Sequence, residues 1–343
     1  MKSLMISVFF LFIIQFISCE VYDANDYSDN PASAEQEQIA DESNDQTIDY
    51  SSEASDSNDE DQVESQECVT NGGRAGDTGL KVWCWEDITL PVYTNSKGVS
   101  FSNKELVIDS ECYEQQVTKS GNKLRFRVNP LGPEIGSWCS NNFNMRAEVR
   151  TAPWQVRNEL GTEEWFGWSY EFGDTYIIDQ NNQWKFFQVY PGTASGGPQI
   201  SLEVIHGDQF NGHAAGEIYV VNKAGTGDKK YASTGITPQA GQTIDVVIHV
   251  IWGDHSNGLL QVWINNEVVY DEQIATVTSD APWGGNAKWG IYKWPWKEEA
   301  RVQKSLNQGI TQLETYLGAI RMITRKPGDV NYGKNSYFEV SPQ

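Results

Sequence analysis

From position 123 onward the chain runs in short apolar–polar alternations, the period-two pattern of half-buried strands. The runs are Lys123–Val128, Met145–Ala152, Trp165–Phe172, Trp184–Tyr190, Gln199–Ile205, Glu217–Asn222, Thr243–Trp252, Gly258–Ile264, Glu267–Tyr270, Ala287–Tyr292 and Tyr316–Thr324. Turn formers separate them: Asn129-Pro130, Gly196-Gly197-Pro198, Asn257-Gly258 and Asn265-Asn266. Helical periodicity is confined to Glu298–Leu313, which reads as a short helix or a long loop. So many short strands within residues 68–343 predict an all-β chain, a two-sheet β-sandwich of the β-jelly-roll type with a curved groove.

The amino-terminal part follows none of this pattern. Lys2 precedes an apolar run from Leu4 to Ile17, too short for a typical spanning helix, so residues 1–19 read as an export signal. The run ends in Phe16-Ile17-Ser18-Cys19, which resembles a bacterial lipoprotein box with Cys19 as the lipidated residue. The expectation is an exported lipoprotein on the outer membrane or cell surface of a Gram-negative bacterium, touching membrane only through that anchor; plain secretion is the alternative. Residues 20–67 hold 17 Asp or Glu and no Lys or Arg. With so little to bury, this stretch is expected to stay a disordered acidic linker. The body from Cys68 then carries 30 acidic and 24 basic residues, near −6 rather than the −22 of the whole chain. No basic field or motif for nucleic acid is visible. Four cysteines remain in the body, Cys68, Cys84, Cys112 and Cys139, an even number that suggests two disulfides in an exported protein.

Three strand-like strings carry the candidate chemistry: Arg146-Ala-Glu148-Val-Arg150, Gln188-Val-Tyr190 and Lys288-Trp-Gly290-Ile-Tyr292. Alternation puts Arg146 and Arg150 on one face, Gln188 and Tyr190 on another, and Lys288, Gly290 and Tyr292 on a third. If those strands neighbour one another, the faces merge into a groove lined with guanidinium, amide, phenol and ammonium groups. That set suits β-elimination at a uronic acid, which needs the C6 carboxylate neutralised, a base for the C5 proton and an acid for the leaving oxygen. A phenol held near cations can serve as base and then return the proton as acid.

These strings resemble the polysaccharide lyases built on a concanavalin-like jelly roll: the alginate lyases, glucuronan lyases and the heparin lyase I type. Members carry an R-x-E-x-R strand, a Q-x-H strand and a late K-x-G-x-Y strand in that order. The stretches Ile248-His-Val-Ile-Trp252, Gly258-Leu-Leu-Gln-Val-Trp263-Ile-Asn265 and Tyr316-Leu-Gly-Ala-Ile-Arg321 also look like the framework of the heparin lyase I group. The resemblance spans roughly residues 120–325. It implies that Arg146 and Gln188 bind the carboxylate, that Tyr292 is the catalytic acid, and that Glu148 orients the arginines. Arg150 and Lys288 become candidates for other anionic groups of an anionic polysaccharide; Lys293 is a weaker one, since alternation turns it from Tyr292.

One position departs from the pattern: where the family has His, this chain has Tyr190. Either Tyr190 takes the role, its phenol lowered by neighbouring cations, or His206 reaches the site from the next strand. Of the other histidines, His249 reads as a satisfied core residue, His255 as a turn residue, and His213 as part of a Gly-rich loop. Trp154, Trp283, Trp294 and Trp296 lie in turn-like or Pro-flanked contexts suited to stacking on sugar rings, with Trp154 and Trp294 nearest the motifs.

Two rivals remain. A jelly-roll glycoside hydrolase would place carboxylates as E-x-D-x-x-E on one strand, a string absent here. A non-catalytic carbohydrate-binding lipoprotein would keep the aromatics without the Tyr and Gln. No cofactor is required by the lyase chemistry and no catalytic metal is expected. Acidic turns such as Asp271-Glu272 or Asp329 could give oxygens to a structural calcium ion. The chain is expected to act as a monomer.

Overall fold

A computed structural model describes residues 74–75, 79–86, 88–90, 99–102, 104–110, 116–132, 145–153, 155–192, 197–207, 213–225 and 230–342. Seventeen strands are described, and they form two antiparallel sheets stacked face to face as a β-jelly roll. The back sheet takes β1 (Arg74–Ala75), β2 (Leu80–Trp83), β5 (Val117–Ser120), β6 (Lys123–Val128), β8 (Glu163–Phe172), β13 (Thr243–Ile251), β14 (Leu259–Ile264), β15 (Glu267–Gln273) and β17 (Leu313–Arg325). Its order is β1-β2-β17-β8-β13-β14-β15, with the β5–β6 hairpin paired to β17. The front sheet takes β3 (Val99–Phe101), β4 (Leu106–Ser110), β7 (Arg146–Thr151), β9 (Trp184–Tyr190), β10 (Ile200–Val204), β11 (Ile218–Asn222), β12 (Lys230–Ser233) and β16 (Asn286–Tyr292). Its order is β12-β11-β10-β9-β16-β7-β4-β3. The Glu298–Leu313 stretch resolves into both of its readings, a helix α1 (Glu299–Leu306) followed by a loop.

The facing sides of the sheets hold the core. Trp168 from the back sheet stacks on Phe187 from the front at 4.8 Å and meets Trp289 edge-on at 6.1 Å. Such pairs add to the area-driven stabilisation of burying large rings. With Phe187, Val189, Trp289 and Ile291 packed inward, alternation sends Gln188, Tyr190, Lys288 and Tyr292 to the outer face of the front sheet.

Several readings of single residues are settled here. His249 lies on the back sheet, stacked on Trp165 at 3.8 Å and bonded to Glu163 and Gln261, a satisfied histidine far from the front face. Trp296 is corrected from a sugar-stacking candidate to a core residue: it is wholly buried and donates to Ser305 Oγ. Of the cysteines only Cys84 is described, and it is buried. Cys19, Cys68, Cys112 and Cys139, the signal and linker segments and Trp154 lie outside the described residues.

Glu164 on β8 is a buried acid inside this framework. It accepts from Trp252 Nε1 at 2.7 Å and from Thr324 Oγ1 at 3.3 Å. Burial outweighs these bonds and pushes its carboxyl up to about 7. The unfolded chain ionises near 4.5, so folding loses stability as pH rises from there through 7, and nothing below. Glu164→Gln is expected to match the wild type in thermal melts at pH 4 and to exceed it at pH 8, by about 3 kcal/mol at most.

Candidate active site

The three strings come together because β16 lies between β9 and β7. Lys288 is opposite both Arg150 and Gln188, Gly290 is opposite Glu148, and Tyr292 is opposite Arg146 and, past a bulge, Lys185. Next to β7, β4 sets Asp109 opposite Glu148. Gly290 is required where it stands: its φ is +134°, and a Cβ there would meet the Ala147 carbonyl oxygen at 2.2 Å. Its carbonyl accepts from the buried Tyr170 hydroxyl at 2.8 Å, fixing the backbone just ahead of Tyr292.

The side chains form two layers. Arg146, Tyr190, Tyr292 and Trp294 are half-buried and reachable from solvent. Arg150, Gln188, Lys288, Glu148 and Asp109 are buried beneath them. At the bottom, Asp109 Oδ2 gathers three cations: Lys288 Nζ at 2.7 Å, Arg150 Nε at 3.6 Å and Arg146 Nη1 at 3.7 Å. Burial pushes the Asp109 carboxyl up, but Lys288, Arg146 and Arg150 together outweigh it and hold the group down at about 2. Glu148 accepts from Gln188 Nε2 at 2.5 Å and lies 3.5 Å from Arg146 Nε. Its carboxyl is pushed up, because burial outweighs the nearby cations. Arg150 also donates to the carbonyls of Thr151 and Pro153, so its donors are turned into the protein.

In the upper layer the Arg146 guanidinium lies 4.2 Å over the Tyr292 ring, and Lys288 Nζ lies 5.2 Å from the Tyr190 ring centre. Tyr292 and Trp294 pack at 5.8 Å, and Lys185 Nζ is 3.9 Å over the Trp294 ring. Lys185 forms a buried ion pair with Glu203 of β10. Lys293 turns away, as alternation requires, and pairs inside with Asp179 at 2.9 Å. That pair and the buried Trp296 pin the chain immediately after Tyr292.

One expectation changes. The Tyr190 phenol was expected to be lowered by cations; burial instead raises it, and Arg146 opposes this only in part. That direction favours the protonated phenol, a hydrogen-bond donor. His206 follows β10, three residues past Glu203, whose partner Lys185 lies opposite Tyr292, which is about 10 Å along the strand at ~3.3 Å per residue. His213 sits 3.4 Å from Glu217 against Tyr219, towards the β11 edge. The residues missed by sequence reasoning are Asp109, Lys185 and Glu203. The one available signal was a charge inside an apolar run, as in Leu106-Val-Ile-Asp109.

Among the described residues no group of His, Cys, Asp and Glu is arranged to hold a metal ion. Of the acids considered for calcium, Asp271 accepts from Gln261, Glu272 from the Tyr270 hydroxyl and Asp329 from the Lys326 amide.

A family model described as polysaccharide lyase matches residues 94–315, which includes every strand of this site. The chain belongs to that polysaccharide lyase family. Solved structures similar to the lyase include an endo-β-1,4-glucuronan lyase from the fungus Trichoderma reesei, at 14% identity over 65% of this chain and 89% of that one, with TM-score 0.42. An alginate lyase from Pseudomonas aeruginosa shares 14% identity over 62% and 87% with TM-score 0.44. An alginate lyase from Alteromonas sp. 272 shares 12% over 64% and 94% with TM-score 0.45. No curated protein matches the sequence.

Proposed function

We propose that this polysaccharide lyase cleaves a uronate-containing anionic polysaccharide by β-elimination on the outer face of the front sheet. The observation that carries the reading is the register of β9, β16 and β7, which gathers an amide, two phenols and three cations around one spot. The substrate carboxylate sits against Arg146, with the Gln188 amide and Lys288 beneath it. Charge that develops on the carboxylate as C5 loses its proton is met by donors already in place, which is where electrostatic catalysis gains most. As the phenolate, Tyr292 takes the C5 proton; the C4=C5 double bond forms as the C4–O bond breaks, and the phenol so formed gives the proton to the leaving oxygen. Tyr190, its phenol held protonated, donates a hydrogen bond to the sugar rather than removing a proton. Arg150 acts from below, through Asp109 and the shared field, because its own donors face the protein.

A hydrolase would need two carboxylates reaching the sugar. Here the two acids beneath the face, Asp109 and Glu148, are buried and tied to cations or to Gln188, which supports elimination over hydrolysis. On sequence alone, we further propose that the protein is exported and held on a Gram-negative cell surface by lipid at Cys19. Its catalytic body then sits beyond the 20–67 tether.

The test is incubation with uronate polymers, followed by the ultraviolet absorbance of the unsaturated product. Arg146→Ala and Gln188→Ala are each expected to lower turnover by about two to three powers of ten, the magnitude of losing one oxyanion-stabilising donor. Near-normal turnover in either variant removes it from the carboxylate site.

A further inference from the structure

The outer face of the back sheet carries a buried cation with no acid in contact. Arg321 lies on β17 opposite Val82 of β2 and Gly167 of β8, on the side turned away from the core. It is 9% exposed. Its buried Nε has no hydrogen-bond partner among the described residues, and its guanidinium enters no ion pair with them. Asp245 acts on it only at longer range, and accepts instead from the Ser169 hydroxyl at 2.7 Å. Burial pulls the guanidinium down from its ordinary value, and Asp245 offsets this in part. A buried charge without a counter-charge in contact is costly, so the position suits an anion from outside.

There is room for one. Arg321 lines a cavity of about 360 Å³, within the range of small-ligand sites, beside Gly318, Ala319 and Ser169. The bulge of β17 between Leu317 and Ile320 places those two small residues there. Pro342 bounds the cavity just after a short helix, α2 (Tyr337–Val340), which packs so closely on Gly167 that a Cβ there would meet the Val340 carbonyl oxygen at 1.8 Å. Lys123 also lines it but is paired with Glu171. Glu86, exposed, is the one acid among the lining residues. We propose that this cavity is a second, non-catalytic binding site that takes a carboxylate on the Arg321 guanidinium. The guanidinium fork matches the two oxygens of a carboxylate, which together bring a single charge. A uronate unit of a polysaccharide and a free small organic acid share this chemistry. The site lies on the sheet opposite the groove and does not depend on the elimination reading.

The experiment compares thermal melts of the wild type and Arg321→Met with acetate, glucuronate, glucose or sulfate at constant ionic strength. Each effect is read as the wild-type shift minus the variant's, which removes binding in the groove and general salt effects. Acetate and glucuronate are each expected to raise the wild type by about 3 °C more than the variant at tenfold excess over Kd. Glucose should add nothing, and sulfate less than acetate. A lower Kd for glucuronate than for acetate assigns the site to a sugar acid; equal values assign it to a free carboxylate. Without ligand, Arg321→Met keeps an apolar stem, removes the unmatched charge and is expected to melt no lower than the wild type. Glu86→Gln, an exposed change, is expected to tighten carboxylate binding about twofold by removing the one lining acid. Equal carboxylate shifts in the wild type and Arg321→Met overturn the proposal. So do a sulfate shift as large as that of acetate, a clear loss of stability in ligand-free Arg321→Met, or an affinity unchanged in Glu86→Gln.

Discussion

Tyr292→Phe should lose turnover by about two to four powers of ten, the range for removing a general acid–base group. The substitution deletes one oxygen from a half-buried ring. The ring itself keeps its contacts with the Arg146 guanidinium at 4.2 Å and with Trp294 at 5.8 Å. With the ring held in place, affinity for an uncut polymer should stay within a fewfold of wild type. Tyr190→Phe should be hurt less, because a phenol raised by burial contributes a hydrogen bond and not the proton transfer. His206→Ala should be close to wild type, since it lies about 10 Å along β10 from the row of Tyr292. Inactivation of His206→Ala as deep as that of Tyr292→Phe would move the base to the histidine. Retained turnover in Tyr292→Phe would remove Tyr292 from the chemistry altogether.

What could be read from the sequence followed the strength of the alternation. The long strands β8, β9, β13, β14, β16 and β17 all carry an inward apolar series, and each was visible within a few residues at its ends. Besides β1, β2 and β3, which precede the first run read as a strand, three strands escaped for two reasons. β5 and β12 are four-residue, partly exposed edges with too little apolar content to signal a strand. β4 failed for the opposite reason: Leu106–Ser110 is buried on both faces, so no polar beat marks the period. The loss mattered, because β4 carries Asp109. The motif residues were legible because alternation alone assigns Arg146, Gln188, Lys288 and Tyr292 a side. Their depth was not. That Arg150 turns inward, that Lys185 is spent on Glu203, and that Tyr190 is desolvated all depend on which strands lie beside them. Strand order is a long-range property that the local pattern does not encode.

Asp109 is the position where that missing information has the largest consequence. It is the shared counter-charge of Lys288, Arg150 and Arg146, at 2.7, 3.6 and 3.7 Å, and it is 2% exposed. Asp109→Asn keeps the shape and removes the charge that the three cations share. Breaking such a buried cluster from one side is expected to destabilise the fold by about 3–5 kcal/mol. The carboxyl is held down at about 2 against an unfolded value near 3.8, so its contribution is present above pH 4 and is lost as pH falls through 2. Acid unfolding of the wild type should therefore show a component in that window which Asp109→Asn lacks. Catalysis should suffer separately, because Lys288 and Arg146 would turn to Glu148 and leave the positions where the substrate carboxylate meets them. The expected signature is a fall in kcat/KM of at least about tenfold measured well below the melting temperature, where the folded fraction is still full. If Asp109→Asn melts like the wild type and cleaves at the same rate, the three cations are held by something other than this carboxylate.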